Sequence, residues 1–316
     1  MKFLQFYMWW DCKNICEFCF AKILKQTPTD KLHRLQIIQN AIDILDSRQD
    51  ECFDIVGLIG GEFFEDQISD PEVNKKFMEL INKCIDVVSD NRANMVYIMT
   101  HLIYQDTKYL DQVLDIFKAR NMLDKVMICT SFDPWGRFHT EERKAIWYNN
   151  VEKLLEQNIL VHAEIILSGF FLDALFSGEV DLQYFKDKGV ILDFLNPQGL
   201  YKEDATQADN KEATIQHLTK GWLPTREAFI KFLFFLRDFN PIQLERLFSL
   251  EIRSQELYML SNDIICTRDS KTYNENIGYD NIMDCGHSNK FAFYADSDKC
   301  MICDIENFKK EFSNFE

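Results

Sequence analysis

The sequence predicts an α/β fold of parallel strands with helices outside. Three observations carry this. Short apolar runs alternate with longer amphipathic ones through the first two thirds of the chain. The alternation repeats six times, which favours parallel pairing through helical crossovers. The chain has 316 residues, 47% of them hydrophobic, enough for one large domain, or one plus a small one, without covalent staples.

The strands expected in order are Phe3–Trp9, Phe53–Ile59, Met95–Met99, Val126–Ser131, Leu160–Leu167 and Val190–Leu195. Helical stretches lie between them. Asp30 to Asp46 places Leu35, Ile38, Ile42 and Leu45 at spacings of three and four. Glu72–Asp90 and Asp106–Ala119 follow, and then Thr140–Gln157, where Thr140 precedes two acids in the first turn. Pro197 to Thr219 is polar without an apolar period and reads as a loop or lid. Thr225 to Leu250 is helical in pattern, with a break at Asn240-Pro241. From Asn262 the chain reads as irregular, apart from a strand-like Phe291–Tyr294. The expected division is 1–197 for the α/β portion, 198–224 for the loop or lid, and 225–316 for a helical, cysteine-bearing region.

Ten cysteines need an explanation, and seven fall in two groups. The apolar start is too short for a signal peptide, and no run is long enough to span a membrane, so a cytoplasmic location is expected. In a reducing compartment clustered cysteines bind metal more often than they pair. The formal charge of −16 argues against a nucleic-acid substrate, since phosphates demand a basic face. A peptide or small molecule fits better.

The first group is Cys12, Cys16 and Cys19, spaced C-x3-C-x2-C after the first strand. Three thiolates hold three irons of a [4Fe–4S] cube and leave the fourth iron open. A zinc site, which wants four closed ligands, is the alternative. Gly60-Gly61-Glu62 follows the second strand. Alone it is an ordinary turn; beside the cysteines it offers close backbone approach and a carboxylate for an ammonium group. Cys266, Cys285, Cys300 and Cys303 form the second group, sufficient for one closed site. Cys84 and Cys129 lie within predicted elements and Cys52 at the edge of one, and all three read as small apolar residues.

Together the cysteine and glycine motifs resemble the radical S-adenosylmethionine (SAM, AdoMet) superfamily. The resemblance implies a partial (β/α)6 TIM-like barrel with a small irregular C-terminal extension. It implies a cluster on Cys12, Cys16 and Cys19, with AdoMet chelating the open iron and Gly60, Gly61 and Glu62 near its amino group. Reductive cleavage would yield methionine and a 5′-deoxyadenosyl radical that abstracts hydrogen from substrate. Ser131-Phe-Asp133, with Arg143 ten residues beyond the aspartate, resembles the fourth-strand motif of the SPASM/twitch subgroup, which includes anaerobic sulfatase-maturating enzymes. This assigns Ser131 and Arg143 to the AdoMet carboxylate. Asp133 reads as a loop brace and His139 as a surface histidine. Thr100 fits the Thr-Asn-Gly pattern of relatives, while His101-Leu102 departs from it. His162 and Glu164 share a strand face and would reach the ribose or be satisfied core polar groups. Asp193 to Pro197 resembles segments that pack against adenine.

The subgroup also implies an auxiliary [4Fe–4S] cluster on Cys266, Cys285, Cys300 and Cys303, with zinc as the alternative. Lys13, Lys22 and Lys25 suit an acidic electron donor such as flavodoxin or ferredoxin. With the cluster motif beginning at residue 12, no leader-peptide recognition domain is expected ahead of the barrel. Two other readings stay open: a SAM-binding regulatory protein on a degenerate scaffold, and a tRNA- or nucleotide-modifying enzyme.

Overall fold

The computed structural model describes residues 2–14, 16, 29–195, 223–241, 254–259, 264–268, 294, 296 and 301–312. Six strands of one open sheet are those expected: β1 (Lys2–Tyr7), β2 (Ile55–Ile59), β3 (Met95–Met99), β4 (Val126–Ser131), β5 (Leu160–Ile166) and β6 (Ile191–Leu195). Two more were not anticipated. β7 (Ser254–Met259) pairs parallel to β1, and β8 (Ile264–Arg268) pairs antiparallel to β7. The strand order is β6-β5-β4-β3-β2-β1-β7-β8. β7 falls between the expected helical run, which ends at Leu250, and the stretch from Asn262 expected to be irregular, in which β8 lies. Neither has the long alternation that marks a strand from sequence.

Eight α-helices are described: α1 (Lys31–Ser47), α2 (Pro71–Ser89), α3 (Lys108–Ala119), α4 (Glu141–Glu156), α5 (Gly169–Ser177), α6 (Leu182–Lys188), α7 (Arg226–Phe239) and α8 (Met301–Phe312). The helices α5 and α6 were absent from the sequence reading because each is too short to establish a period. Side-chain caps fix several starts. Asp30 accepts from His33 N at 2.8 Å and Asp70 from Glu72 N at 2.9 Å. Thr140 accepts from Arg143 N at 3.3 Å and Thr225 from Ala228 N at 3.2 Å. α7 ends at Asn240, where the Asn-Pro break was expected.

Three crossover helices end alike. Asn91, Asn121 and Asn158 follow α2, α3 and α4 with φ of 57°, 54° and 59°. In each case that N–H bonds back to a last-turn carbonyl, and the next N–H reaches one residue further: Arg92 to Val87 O, Met122 to Phe117 O and Ile159 to Leu154 O. This is the left-handed helix cap, with asparagine in the place glycine usually holds. It turns the chain straight into the next strand.

Register shows which face carries the site. Phe6, Leu58, Ile98 and Ile128 lie in one row across β1 to β4, and all four are fully buried. That apolar row is the face the helices cover. One residue back, Gln5, Gly57, Tyr97 and Met127 form the row on the opposite face. A Cβ at Gly57 would meet Gln5 Cγ at 2.9 Å, so the small residue makes room for the polar one.

The chain forms two compact units. The first comprises Met1–Ala163, Lys188–Ile191 and Ile252–Tyr273, and holds the cluster loop and its neighbours. The second comprises Glu164–Asp187, Leu192–Glu251 and Asn274–Glu316. In it Arg226 makes two 2.7 Å bonds to the buried Asp304, which also accepts from Tyr294 OH at 2.8 Å.

Candidate active site

The site is built at the C-terminal ends of β1 to β4, the face where barrel enzymes place their chemistry. β1 runs directly into the cysteine loop. Asp11 accepts from Thr29 N at 3.0 Å and from Arg34 Nη2 at 3.1 Å, which pins both ends of the segment that carries the cysteines. Cys16 is buried and Cys12 exposed, and both are free thiols. Cys19 lies outside the described residues. The sulfur of Cys12 nevertheless sits in dense surroundings. Desolvation, then the charge of Glu62, push its thiol above the ordinary range, while Arg137 opposes them. A bound iron would reverse this, since a coordinating thiol is deprotonated outright.

Gly60 and Gly61 let the second strand's end lie against this loop. A Cβ at Gly60 would meet Trp9 O at 2.7 Å, and one at Gly61 would meet Trp10 O at 2.6 Å. Gly61 N donates to Trp9 O at 2.7 Å and Glu62 N to Asp11 O at 2.8 Å. Trp9 Nε1 returns a 2.6 Å bond to Glu62 O. The glycines are therefore required by backbone contact with the cysteine loop.

Glu62 is wholly buried and heavily bonded. Its Oε1 accepts from Phe63 N at 2.8 Å and Phe64 N at 2.9 Å, and its Oε2 from His101 N at 2.8 Å. Thr100 Oγ1 lies 2.9 Å from both oxygens. Thr100 gives its proton to Glu62, so Tyr104 OH, 3.2 Å away, donates to Thr100. Burial, and then the charge of Glu62, push the Tyr104 phenol well above its ordinary range. Four donors converge on the carboxylate. Glu62 thus ties the end of β2 to the end of β3.

The departure from Thr-Asn-Gly has a local solution. Leu102 adopts φ of 55°, the conformation that glycine favours at that place. Two bonds from the buried Asn150 on α4 hold the turn: Nδ2 lies 3.1 Å from Leu102 O and 2.9 Å from Tyr104 O. His101 Nδ1 accepts from Ile103 N at 2.8 Å.

After β4, Asp133 is buried and accepts from Trp135 N at 3.1 Å and Gly136 N at 2.5 Å, the bracing role expected of it. It opens one π-helical turn, Pro134–Phe138, closed by an exposed, left-handed His139. Ser131 ends the strand. Arg143 Nη2 donates to Asn14 Oδ1, and Asn14 Nδ2 to Cys16 Sγ at 3.2 Å. Arg143 Nε is buried without a hydrogen-bond partner. Asn14, inside the C-x3-C loop, was missed in the sequence, although a polar residue between two clustered cysteines is a fair signal.

Cys84, buried in α2, has a thiol pushed up to about 12 by burial and behaves as the apolar residue expected. Cys129 is less isolated: its Sγ lies 3.6 Å from His162 Nδ1. Glu164 stands two residues beyond His162 on the same face of β5. Lys13 pairs with Asp66 at 2.9 Å; Lys22 and Lys25 lie outside the described residues. So do Cys285 and Cys300, while Cys266 falls on β8 and Cys303 in α8 with side chains undescribed.

The donor set fits the group that the resemblance implies. Two free thiols lie on one loop, a side-chain amide is bonded to one sulfur, and an arginine with an orphaned buried N–H faces that loop. A cluster and a carboxylate ligand need these groups.

No family model matches the chain, and no curated protein matches it. Solved structures do. Hexahistidine-tagged anSMEcpe with bound AdoMet is 15% identical with a TM-score of 0.54, over 85% of this chain and 71% of that one. Native anSMEcpe with bound AdoMet and the Kp18Cys peptide is 14% identical with a TM-score of 0.54, over 85% and 74%. Native anSMEcpe with bound AdoMet is 16% identical with a TM-score of 0.50; there the match covers 76% of this chain but only 60% of the other. At such identities the likeness establishes the fold. This chain has the open (β/α) fold of the AdoMet-bound anSMEcpe structures.

Proposed function

We propose that this chain is a radical SAM enzyme that acts on a peptide or small molecule. The observation that carries the reading is the convergence of the end of β2 and the start of α4 on the loop after β1. Gly60–Glu62 packs against Trp9–Asp11, and Arg143 reaches Asn14 between Cys12 and Cys16. Cys12, Cys16 and Cys19 would hold the [4Fe–4S] cluster. Arg143, with Ser131, would receive the AdoMet carboxylate through its orphaned N–H. Thr100 and Glu62 keep the Gly-Gly segment in place beside the AdoMet amino group. Cluster and AdoMet, when bound and given one electron by a flavodoxin- or ferredoxin-type donor, supply reductive sulfonium cleavage and hence hydrogen abstraction. Cys266, Cys285, Cys300 and Cys303 would hold an auxiliary cluster or zinc. Among the described residues no helix is long and apolar enough to cross a membrane.

The test is anaerobic reconstitution with iron and sulfide, followed by AdoMet and a reductant. Wild-type protein should release 5′-deoxyadenosine, and Cys12→Ala or Cys16→Ala should release none. A cluster-loaded wild type that forms no 5′-deoxyadenosine contradicts the reading.

A further inference from the structure

His101 is buried at 3% exposure in the turn after β3, and the role proposed for the site does not use its ring. Ile103 N donates to Nδ1, so the ring proton is on Nε2. That Nε2 has no hydrogen-bond partner. It lies between two carboxylates, 3.4 Å from Glu62 Oε2 and 3.5 Å from Glu65 Oε1. The main-chain N of His101 already donates to the same Glu62 oxygen at 2.8 Å. Glu65 continues outward: its Oε2 accepts from Lys13 N, adjacent to Cys12, at 3.3 Å.

We infer that His101 is a positioning residue for AdoMet. Its Nε2–H is shared between Glu62 and Glu65 and so sets the spacing of the Gly60–Glu62 segment from the cysteine loop. This rests on the reading of the site as an AdoMet site. A buried polar atom left unpaired costs free energy, which favours tightening of the two long contacts when the ligands order the loop. Asparagine, the residue at this place in Thr-Asn-Gly, keeps an acceptor for Ile103 N but cannot reach Glu65. Glutamine reaches with an amide N–H. The contact with Glu65 therefore needs a donor at the ring's Nε2 position.

The experiment is calorimetric AdoMet binding to anaerobically reconstituted protein, with melting of each apo variant as the control for folding. His101→Asn should weaken AdoMet roughly tenfold, as removal of a supporting partner commonly does. His101→Gln should restore most of the affinity. Glu65→Gln should weaken binding similarly, and the double variant His101→Asn/Glu65→Gln should be no worse than either single one. The EPR line shape of the reduced cluster with AdoMet should change in His101→Asn and not in His101→Gln. Wild-type protein that binds AdoMet while His101→Asn binds equally well overturns this inference alone. Equal losses in the Asn and Gln variants, or additive losses with Glu65→Gln, also overturn it. A cluster-loaded wild type that binds no AdoMet overturns the reading of the site, and the inference with it.

Discussion

At residue scale, the site depends on two glycines and two carboxylates. A methyl group at Gly61 has no space, because the backbone of Trp10 and Asp11 occupies it. Gly61→Ala should cost about 1–3 kcal/mol through overpacking and displace the cysteine loop. Thermal unfolding of the apo protein together with bound iron after reconstitution measures both effects; unchanged melting and full iron content would refute the packing argument. Glu65 gives a pH signature. Burial raises its pKa, but His101 and the Lys13 N–H outweigh that and hold the carboxyl below its ordinary value. A lowered folded pKa contributes stability that is present above the unfolded value, near ~4.3, and is lost as pH falls through the folded one. Urea unfolding of wild type and Glu65→Gln should therefore show a stability gap at pH 6 that closes below about pH 4. A gap that is constant over this range would contradict the assignment. These carboxylate contacts were not legible in the sequence: Gly-Gly-Glu suggested a carboxylate beside an ammonium group, and the folded chain adds four internal donors to Glu62. Only a folded turn brings the N–H groups of His101 and Phe64 to one carboxylate.

At element scale, the six parallel strands were readable because each is a short, bounded apolar run and each crossover helix has a clear period. Boundaries agreed within two residues for every one of the six strands. The addition of β7 and β8 beside β1 was not readable, since their pairing is set by distant partners. The turn after β3 shows how an element absorbs an unfavourable residue. Leu102 in a left-handed conformation costs roughly 1–2 kcal/mol. Asn150 offsets this by bonding two otherwise unsatisfied carbonyls. Asn150→Ala should lower stability by about 2–3 kcal/mol, because buried acceptors are left unpaired. Chemical denaturation checks this, and a loss below about 0.5 kcal/mol, the range of ordinary surface changes, would show that Asn150 is not what holds the turn. The three asparagine caps predict a smaller effect of the opposite sign. Asn121→Gly keeps the left-handed cap without Cβ strain and should be neutral or slightly stabilising, while Asn121→Val should cost about 1 kcal/mol or more.

At the scale of the whole molecule, the acidic charge and the cysteine distribution narrowed the chemistry, and the fold then placed the motif residues in one unit. Cys12, Cys16, Gly60, Gly61, Glu62, Thr100, Ser131 and Arg143 all belong to the first compact unit, spread over 132 residues of sequence (12 to 143). Spacing alone could propose that grouping; the parallel sheet gives its cause, since every crossover returns the chain to the same edge. The central claim is that the cysteine loop holds a cube with one iron open to AdoMet. Its most direct measurement is EPR of the anaerobically reconstituted, reduced protein before and after AdoMet is added. The account predicts a reduced [4Fe–4S] signal whose g-values shift with AdoMet in the wild type and which is lost in Cys12→Ala. Stoichiometric zinc with no reducible cluster on the loop, or a cluster signal indifferent to AdoMet, would contradict it.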